Sequence, residues 1–300
     1  MAKKKPQRQR IGWFERVLQY LDGDDPATQL SKVRAFERIL VLIICVEYWS
    51  RATPRVNDLG LDRWVTLALI SAVGAVALTE RWGRAGLLAL AIAQTVRLWN
   101  NFPGDGNHAY LELLLCILCA SLNVRDGEER QLFLRAVRWM TCVVFFFAGV
   151  QKVVHGYYFN GELLAYSMGI EAFRPVLHVL LPSADFARLS GYHLQAGDGP
   201  YLVSSAYFVV LSNATYVIEI ALAVLFIPRR TRQPAVVAAI VFLAGIEAAA
   251  RELFFGLIYV NMLLLFLERD VNRRLLGVFG AVLGCMLLVR LKVLPEVIFY

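Results

Sequence analysis

The stretch YLVSSAYFVVLSNATYVIEIALAVLFI (Tyr201–Ile227) decides the class of this protein. It carries one charged residue, Glu219, and a helix of this length, rising 1.5 Å per residue, exceeds the roughly 30 Å hydrocarbon core of a bilayer. The whole 300-residue chain is 58% hydrophobic and 18% charged, with a mean hydropathy of +0.54. Because soluble domains are about a quarter charged, lipid must solvate much of this chain. The composition excludes a cytosolic enzyme, a secreted disulfide scaffold and a nucleic-acid-binding module.

Similar apolar runs recur along the chain, separated by short charged turns. They predict an all-α fold, a polytopic transmembrane helical bundle of about nine spans. Near Arg251–Glu252 we expect two short helices to meet, because one continuous helix would overshoot the bilayer. The predicted spans are Ile39–Ser50 with an extension back to Arg34, Trp64–Thr79, Ala85–Trp99, Ala109–Asn123, Leu132–Gln151, Tyr201–Ile227, Ala235–Ala250, Leu253–Leu267 and Leu275–Leu294.

The basic residues predict the orientation of this bundle. With a cytoplasmic N-terminus and an extracytoplasmic C-terminus, 21 of the 31 Lys and Arg residues fall on the inner side, as the positive-inside rule requires. The net charge of +7 therefore mainly reports orientation, with some attraction to anionic inner-leaflet lipid. We expect an integral, multi-pass protein of the plasma membrane. Its predicted parts are a basic cytoplasmic tail (1–32) with an interfacial amphipathic helix (Ile11–Leu21), a transmembrane domain (33–294) with an outer lid segment (153–200), and a short C-terminal end (295–300).

Polar residues inside the apolar runs are candidates for function, because burying them in a bilayer is costly. Glu112 lies one helical turn from His108 and can set the tautomer of its imidazole. For Glu219 we expect a structural ion pair, with Arg97 or His108 as its partner. The five cysteines lie in apolar runs and predict no metal site. The candidates near the outer helix ends are Glu47, Arg97, Asn107, His108, Glu112, Lys152 and Glu247, with Glu219 deeper.

Two segments carry the strongest signals. In CVVFFFAGVQKVVHGYYFNGELL (Cys142–Leu164), Lys152 follows a helix of Val and Phe. An apolar wall desolvates such an amine and favours its neutral, basic form, although a lysine that only extends to the headgroups fits the same pattern. In NFPGDGNHAYLELLL (Asn101–Leu115), a Gly-rich turn brings Asn107 and His108 to a helix start. The imidazole there either relays a proton or is an interfacial histidine without a chemical task.

Together these segments resemble the vitamin K-dependent gamma-glutamyl carboxylase family and, more broadly, the horizontally transferred transmembrane (HTTM) domain family. That family has an Asn-His-x-Tyr-Leu run at a helix start, matched here by Asn107–Leu111. It also has an Ala-Gly-Val-x-Lys-hydrophobic run at a helix end, matched by Ala148–Val153. Weaker matches follow in the same order at Arg229–Ala235 and Leu253–Leu275.

The resemblance implies a lyase-class membrane enzyme that uses reduced vitamin K or a menaquinol-type quinone, O₂ and CO₂, without a metal. Lys152 is then the base that deprotonates the hydroquinone, and His108 and Asn107 orient it. The oxygenated quinone removes a proton from a glutamate γ-carbon, the carbanion captures CO₂, and the quinone leaves as an epoxide. Expected partners are lipid, the quinone and a small glutamate-containing peptide, with no nucleic acid. The further quinone-binding candidates are Arg97, Tyr110, Glu112 and Glu247.

Two departures from the family pattern leave an alternative open. The segment LAGIEAAARELFF carries Glu247 where the family has a further histidine, and the large extracytoplasmic C-terminal region of the family has no counterpart before Tyr300. The alternative is a non-catalytic membrane protein that matures, exports or binds a small secreted peptide. Lys152 and His108 then hold helix ends together. A transporter is the third hypothesis, but paired interrupted helices are not evident in the sequence.

Overall fold

The computed structural model describes residues 26–52, 61–102, 107–167, 178–192, 199–250, 253–267, 277–279, 281–285 and 288. Within these ranges every regular element is helical, which confirms the all-α class. The predicted amphipathic helix Ile11–Leu21 lies outside the described residues, as does most of the ninth predicted span. Residues 277–279 and 281–285 of that span are helical.

The helices follow one another through short connections, apart from the segment after residue 155. The two helices on either side of Arg251–Glu252 pack against each other, since a Cβ atom at Gly256 would lie 2.6 Å from Glu247 Cγ. The predicted meeting point itself, residues 251–252, lies outside the described residues. The helices are α1 (Pro26–Ala52), α2 (Leu61–Ala77), α3 (Gly83–Asn101), α4 (Asn107–Ser121), α5 (Gly127–His155), α6 (Glu162–Tyr166), α7 (Ser183–Ser190), α8 (Ala206–Leu225), α9 (Arg229–Ala250) and α10 (Leu253–Leu264), with a 3₁₀ turn at His178–Leu180.

Helix α1 is already helical at Pro26, the first described residue and eight residues before the predicted start at Arg34, and so includes part of the predicted cytoplasmic tail. The reason lies in Lys32, which is 4% exposed and donates a hydrogen bond to the carbonyl of Leu267, just after α10. A cation at the C-terminal end of a helix satisfies free carbonyls and offsets the negative end of the helix dipole. Lys32 therefore packs against the end of α10 instead of lying in a cytoplasmic tail.

Helices α5 and α8 differ from the sequence prediction at their first turns. Helix α5 begins at Gly127 rather than at Leu132, because the Asp126 carboxylate caps it by accepting hydrogen bonds from the Glu128 and Glu129 amides at 2.9 and 3.1 Å. Helix α8 begins at Ala206 instead of Tyr201, where Ser205 Oγ accepts a hydrogen bond from the amide of Phe208. Polar caps rather than the limits of the apolar runs set both starts.

The most extensive packing joins α5 to α8. Gly149 makes it possible, since a Cβ atom there would lie 2.6 Å from Ile220 Cγ1 and 2.9 Å from the carbonyl oxygen of Tyr216. Helix α3 packs between α2 and α4, and α1 contacts α2, α4, α5 and α10. One apolar core runs through α1, α3, α4, α5, α8, α9 and α10, with Phe36, Phe133 and Phe266 among its fully buried members.

The helices expose large apolar side chains and bury polar ones. Leu88, Ile92, Val96 and Trp99 form an exposed row on α3, and each is at least 53% exposed. Glu47, Gln94 and Glu112 are 0% exposed. A soluble protein has the opposite distribution.

By length and apolarity, two helices of the described part qualify as membrane spans, α5 and α8. The apolar helical stretches Arg63–Ala77, His108–Ser121 and Phe254–Leu264 are shorter. Membrane association thus rests on two candidate spans, and the nine-span topology and the orientation of the termini stay predictions.

Candidate functional site

The first polar centre, called here the Glu47 cluster, joins α1, α3 and α4 around one buried carboxylate. It consists of Glu47, Arg51, Gln94, Arg97, His108 and Glu112. Arg97 donates to both oxygens of Glu47, with 2.9 Å from Nη2 to Oε1 and 3.2 Å from Nη1 to Oε2. Arg51, one turn after Glu47, donates from Nε at 2.9 Å. Two guanidinium groups and one carboxylate therefore fix the ends of α1 and α3 against each other.

The deeper half of the Glu47 cluster is a second carboxyl group. Gln94 donates to Glu112 Oε2 at 2.6 Å, and its own oxygen accepts from Arg97 Nη1 at 3.2 Å. The distance between Arg97 Nη1 and Glu112 Oε2 is 3.7 Å. Glu112 Oε1 is buried and has no hydrogen-bond partner among the described residues. The nearest polar group to complete its bonding is the Glu47 carboxyl group, because the Glu47 and Glu112 side chains interact with each other and a proton on Glu112 would let them share a hydrogen bond.

His108 is the exposed edge of the Glu47 cluster. Its Nε2 lies 3.1 Å from Glu47 Oε1 and 3.5 Å from Arg51 Nη2, and 18% of its side chain is exposed. The expectation that Glu112 sets its tautomer is corrected, because the described partner of the ring nitrogen Nε2 is Glu47. The reason is helix rotation: although Glu112 shares a face with His108, its carboxyl points toward Gln94 of α3.

The second polar centre is the Lys152–Glu219 pair, between α5 and α8. Lys152 Nζ lies 2.7 and 2.8 Å from the two oxygens of Glu219, and the two side chains are 20% and 7% exposed. The expected ion pair of Glu219 is confirmed, but the expected partners Arg97 and His108 are wrong. Close approach of the helices at Gly149 explains the actual partner, since Glu219 Cβ lies 3.3 Å from the position of a Cβ there.

The end of α5 positions an aromatic group over this pair. Gly156, with φ of 71°, ends the helix in the left-handed conformation and turns the chain back over Lys152. The Tyr158 ring centroid then lies 5.6 Å from Lys152 Nζ. Burial, and secondly the charge of Glu219, raise the pKa of the Tyr158 phenol to about 12, so it stays protonated at neutral pH. The ammonium group thus has a carboxylate on one side and an aromatic face on the other.

The structure brings four of the candidate residues together, Glu47, Arg97, His108 and Glu112, and places Lys152 and Glu219 in the other centre. The two centres share no residue. Tyr110 is 38% exposed, and Glu247 packs over Gly256, where a Cβ would lie 2.6 Å from its Cγ. Asn107 is the first residue of α4.

Sequence reasoning missed Gln94 and the central position of Glu47. One signal was available: Gln94 precedes Arg97 by three residues, one helical turn, inside an otherwise apolar run. The role of Glu47 carried no comparable signal, because its partners Arg97 and His108 lie 50 and 61 residues away.

The predicted lid segment is partly described and partly helical. Its first residues, 153–155, belong to α5, and α6 and α7 follow. The Asp185 carboxylate of α7 accepts from the amide and hydroxyl of Ser204 at 2.7 and 2.8 Å, and lies 3.3 Å from Arg188 Nη2. The backbone hydrogen bond from Ser204, with the hydroxyl and the guanidinium, lowers the pKa of Asp185. These contacts hold the segment to the start of α8.

No known protein family, curated protein or solved structure shows significant similarity to this chain.

Proposed function

We propose that this protein is a polytopic membrane enzyme that deprotonates a reduced naphthoquinone at the Lys152–Glu219 pair. The proposal keeps the resemblance to the vitamin K-dependent carboxylase family and its quinone, with O₂-dependent epoxidation as the reaction. Carboxylation of a glutamate-containing peptide is its further extension. The observation that carries the proposal is a half-buried amine held against a carboxylate near the end of an apolar helix.

The contacts of the basic residues support a multi-pass topology with a cytoplasmic N-terminus. In that topology α4, α8 and α10 run inward and end at the inner face. Arg84 donates to the carbonyls of Ala120 and Ser121 at the end of α4, at 3.0 and 3.1 Å. Arg232 donates to the Phe226 carbonyl after α8, and Arg138 to the Leu265 carbonyl after α10. Cations gathered at one set of helix ends agree with the positive-inside rule.

The pair handles a proton in two steps. In an apolar site, Lys152 passes a proton to Glu219, so that an ion pair becomes a neutral amine and a neutral acid. The amine of Lys152 then accepts the proton of a hydroquinone hydroxyl, whose pKa near 10 matches an amine far better than a free carboxylate. Glu219 retains the first proton until it returns to solvent. When bound, the hydroquinone supplies the electrons for the reaction with O₂.

The surroundings of Lys152 fit a flat, apolar ligand. Val153, Val154, Tyr157 and Phe159 are all exposed and lie on either side of the turn at Gly156. A quinone dissolved in the membrane therefore has an apolar approach to the amine that does not cross water.

The test is epoxide formation from vitamin K hydroquinone and O₂ by the purified full chain in lipid nanodiscs. Lys152→Ala is expected to lower the rate at least about 100-fold, as for loss of a general base. Lys152→Arg is the matched variant: it keeps the charge and the pair with Glu219, but a guanidinium does not deprotonate, so the rate falls equally while the fold is retained. Equal rates for wild type and Lys152→Arg, or no epoxide from the wild type, would refute the proposal.

A second candidate is a non-catalytic membrane protein that matures, exports or binds a small secreted peptide. One observation favours it: Lys152 connects α5 to α8 and His108 connects α4 to α1, as structural connectors do. Lys152→Arg separates the two candidates, because a structural role tolerates it and a base does not. Retained peptide secretion in cells carrying Lys152→Arg, together with an unchanged melting temperature, supports this second candidate.

A further inference from the structure

A groove of about 110 Å³ opens at the end of the bundle away from both polar centres. It lies between the first half of α1, the α2–α3 turn and the α4–α5 turn, and Arg34 precedes Glu47 by roughly 20 Å along α1. Neither the Glu47 cluster nor the Lys152–Glu219 pair contributes to it. Its charged lining residues are Arg34, Glu37, Arg38, Glu80, Arg84 and Arg125, and its other walls are largely apolar.

The groove is lined by more arginines than glutamates. Glu80 is shared by two arginines, since it lies 3.6 Å from Arg34 Nη1 and 3.4 Å from Arg125 Nη2. Arg84 is engaged with the carbonyls at the end of α4. Arg38 donates no hydrogen bond to another residue in the described part of the chain. Four arginines and two glutamates leave a surplus of two positive charges for a ligand.

The setting of the groove is that of a membrane–water interface. Trp82 in the α2–α3 turn is 58% exposed, and the Arg81 guanidinium lies 5.5 Å from its ring centroid. Leu78, which lines the groove, is 39% exposed. Exposed tryptophan beside basic residues is typical of the headgroup level, and an apolar wall next to arginines suits a ligand with both a phosphate and hydrocarbon.

We propose that this groove binds an anionic phospholipid with a hydroxylated headgroup, of the phosphatidylglycerol type. Arg34 and Arg38 lie one turn apart on α1 and take the phosphate, while Arg125 completes the cationic side. The half-buried Glu37 carboxyl group accepts a hydrogen bond from a headgroup hydroxyl. A second anionic group in that position would have no hydrogen to donate. The acyl chains follow the apolar wall at Leu78 and Leu87. The lipid's origin in the inner leaflet rests on the topology proposed above.

The experiment titrates dioctanoyl phosphatidylglycerol into the detergent-purified full chain and measures the dissociation constant by native mass spectrometry. Arg38→Gln is expected to weaken binding about tenfold, since a charge-assisted hydrogen bond to phosphate is lost. Arg34→Gln weakens it similarly. The control is Arg230→Gln, which removes the same charge from an exposed site on the same predicted side but outside the groove, and changes the constant less than twofold.

Two comparison ligands define the source of the phosphate. Glycerol phosphate, which lacks acyl chains, is expected to bind at least tenfold more weakly than the lipid. Equal binding of glycerol phosphate and lipid overturns the lipid assignment, and equal binding of dioctanoyl phosphatidylcholine overturns the headgroup assignment. Equal weakening by Arg38→Gln and Arg230→Gln overturns the assignment of the groove as the binding site. Because epoxide formation and lipid binding are measured separately, failure of either one leaves the other interpretable.

Discussion

Replacing Lys152 by alanine is expected to cost about 3–5 kcal/mol of unfolding free energy, because it leaves Glu219 buried without its cation. A second estimate, based on the protonation of Glu219, gives a similar value. Glu219 is 7% exposed, so a charge without its partner escapes mainly by taking up a proton. Protonating a carboxyl group of ordinary pKa, about 4.3, costs about 3.7 kcal/mol at pH 7. The penalty should therefore shrink to roughly 1 kcal/mol at pH 5.

The assay is thermal unfolding in detergent, followed by the loss of monodisperse protein on size-exclusion chromatography. At pH 7 the melting temperature of Lys152→Ala should fall by on the order of 10 °C. The double variant Lys152→Met with Glu219→Leu should recover most of the loss, since an apolar pair of similar volume replaces a buried ion pair at little cost. Val217→Ala, on the exposed face of α8, is the control and should change little. A loss below about 1 kcal/mol, or a double variant worse than Lys152→Ala, would refute the idea that the pair is desolvated.

Three further changes test other contacts. Glu47→Gln should lower the unfolding free energy by about 3 kcal/mol, because it removes the charge that the buried Arg97 faces. Arg51→Ala, at a side chain that is 46% exposed, should lower it by less than about 1 kcal/mol. Similar losses for both variants would contradict the central position of Glu47. Gly149→Leu should separate α5 from α8, lowering the melting temperature and any epoxide formation together, and an unaltered protein would argue against the close contact. Because the pKa of Asp185 is lowered in the folded state, its contribution is complete well above a pH of about 3.9 and is lost as the pH falls through the lowered pKa. The difference in melting temperature between wild type and Asp185→Asn should therefore be constant from pH 7 to 5 and shrink only below about pH 3.9; a difference already lost at pH 5 would exclude this role.

The sequence contained the helical class and the approximate helix positions, because apolar runs and charged turns are local features. It also placed the polar side chains near the same helix ends, which is why Arg97, His108, Glu112 and Lys152 were expected together. The structure instead pairs Lys152 with Glu219 in a separate centre. The sequence could not supply the rotation of each helix about its axis. Glu219 and Lys152 are 67 residues apart, and their pairing depends on how closely α5 and α8 approach at Gly149. Position along the helix axis alone did not distinguish Arg97 and His108 from the actual partner of Glu219.

The basic residues at the predicted inner face show that a count of charges does not reveal their contacts. As a count, Arg84, Arg138 and Arg232 only report orientation. In the structure each donates to carbonyl oxygens at a helix end, and Arg138 and Arg232 are only 2% exposed. Carbonyls at a helix end have no intrahelical partner, and in an apolar environment leaving them unpaired costs more than in water. The same guanidinium groups therefore stabilise these helix ends, in addition to the orientation that their count predicts. Arg38 makes no such bond within the described part of the chain, which is why we propose it, together with Arg34, as a ligand for a lipid phosphate.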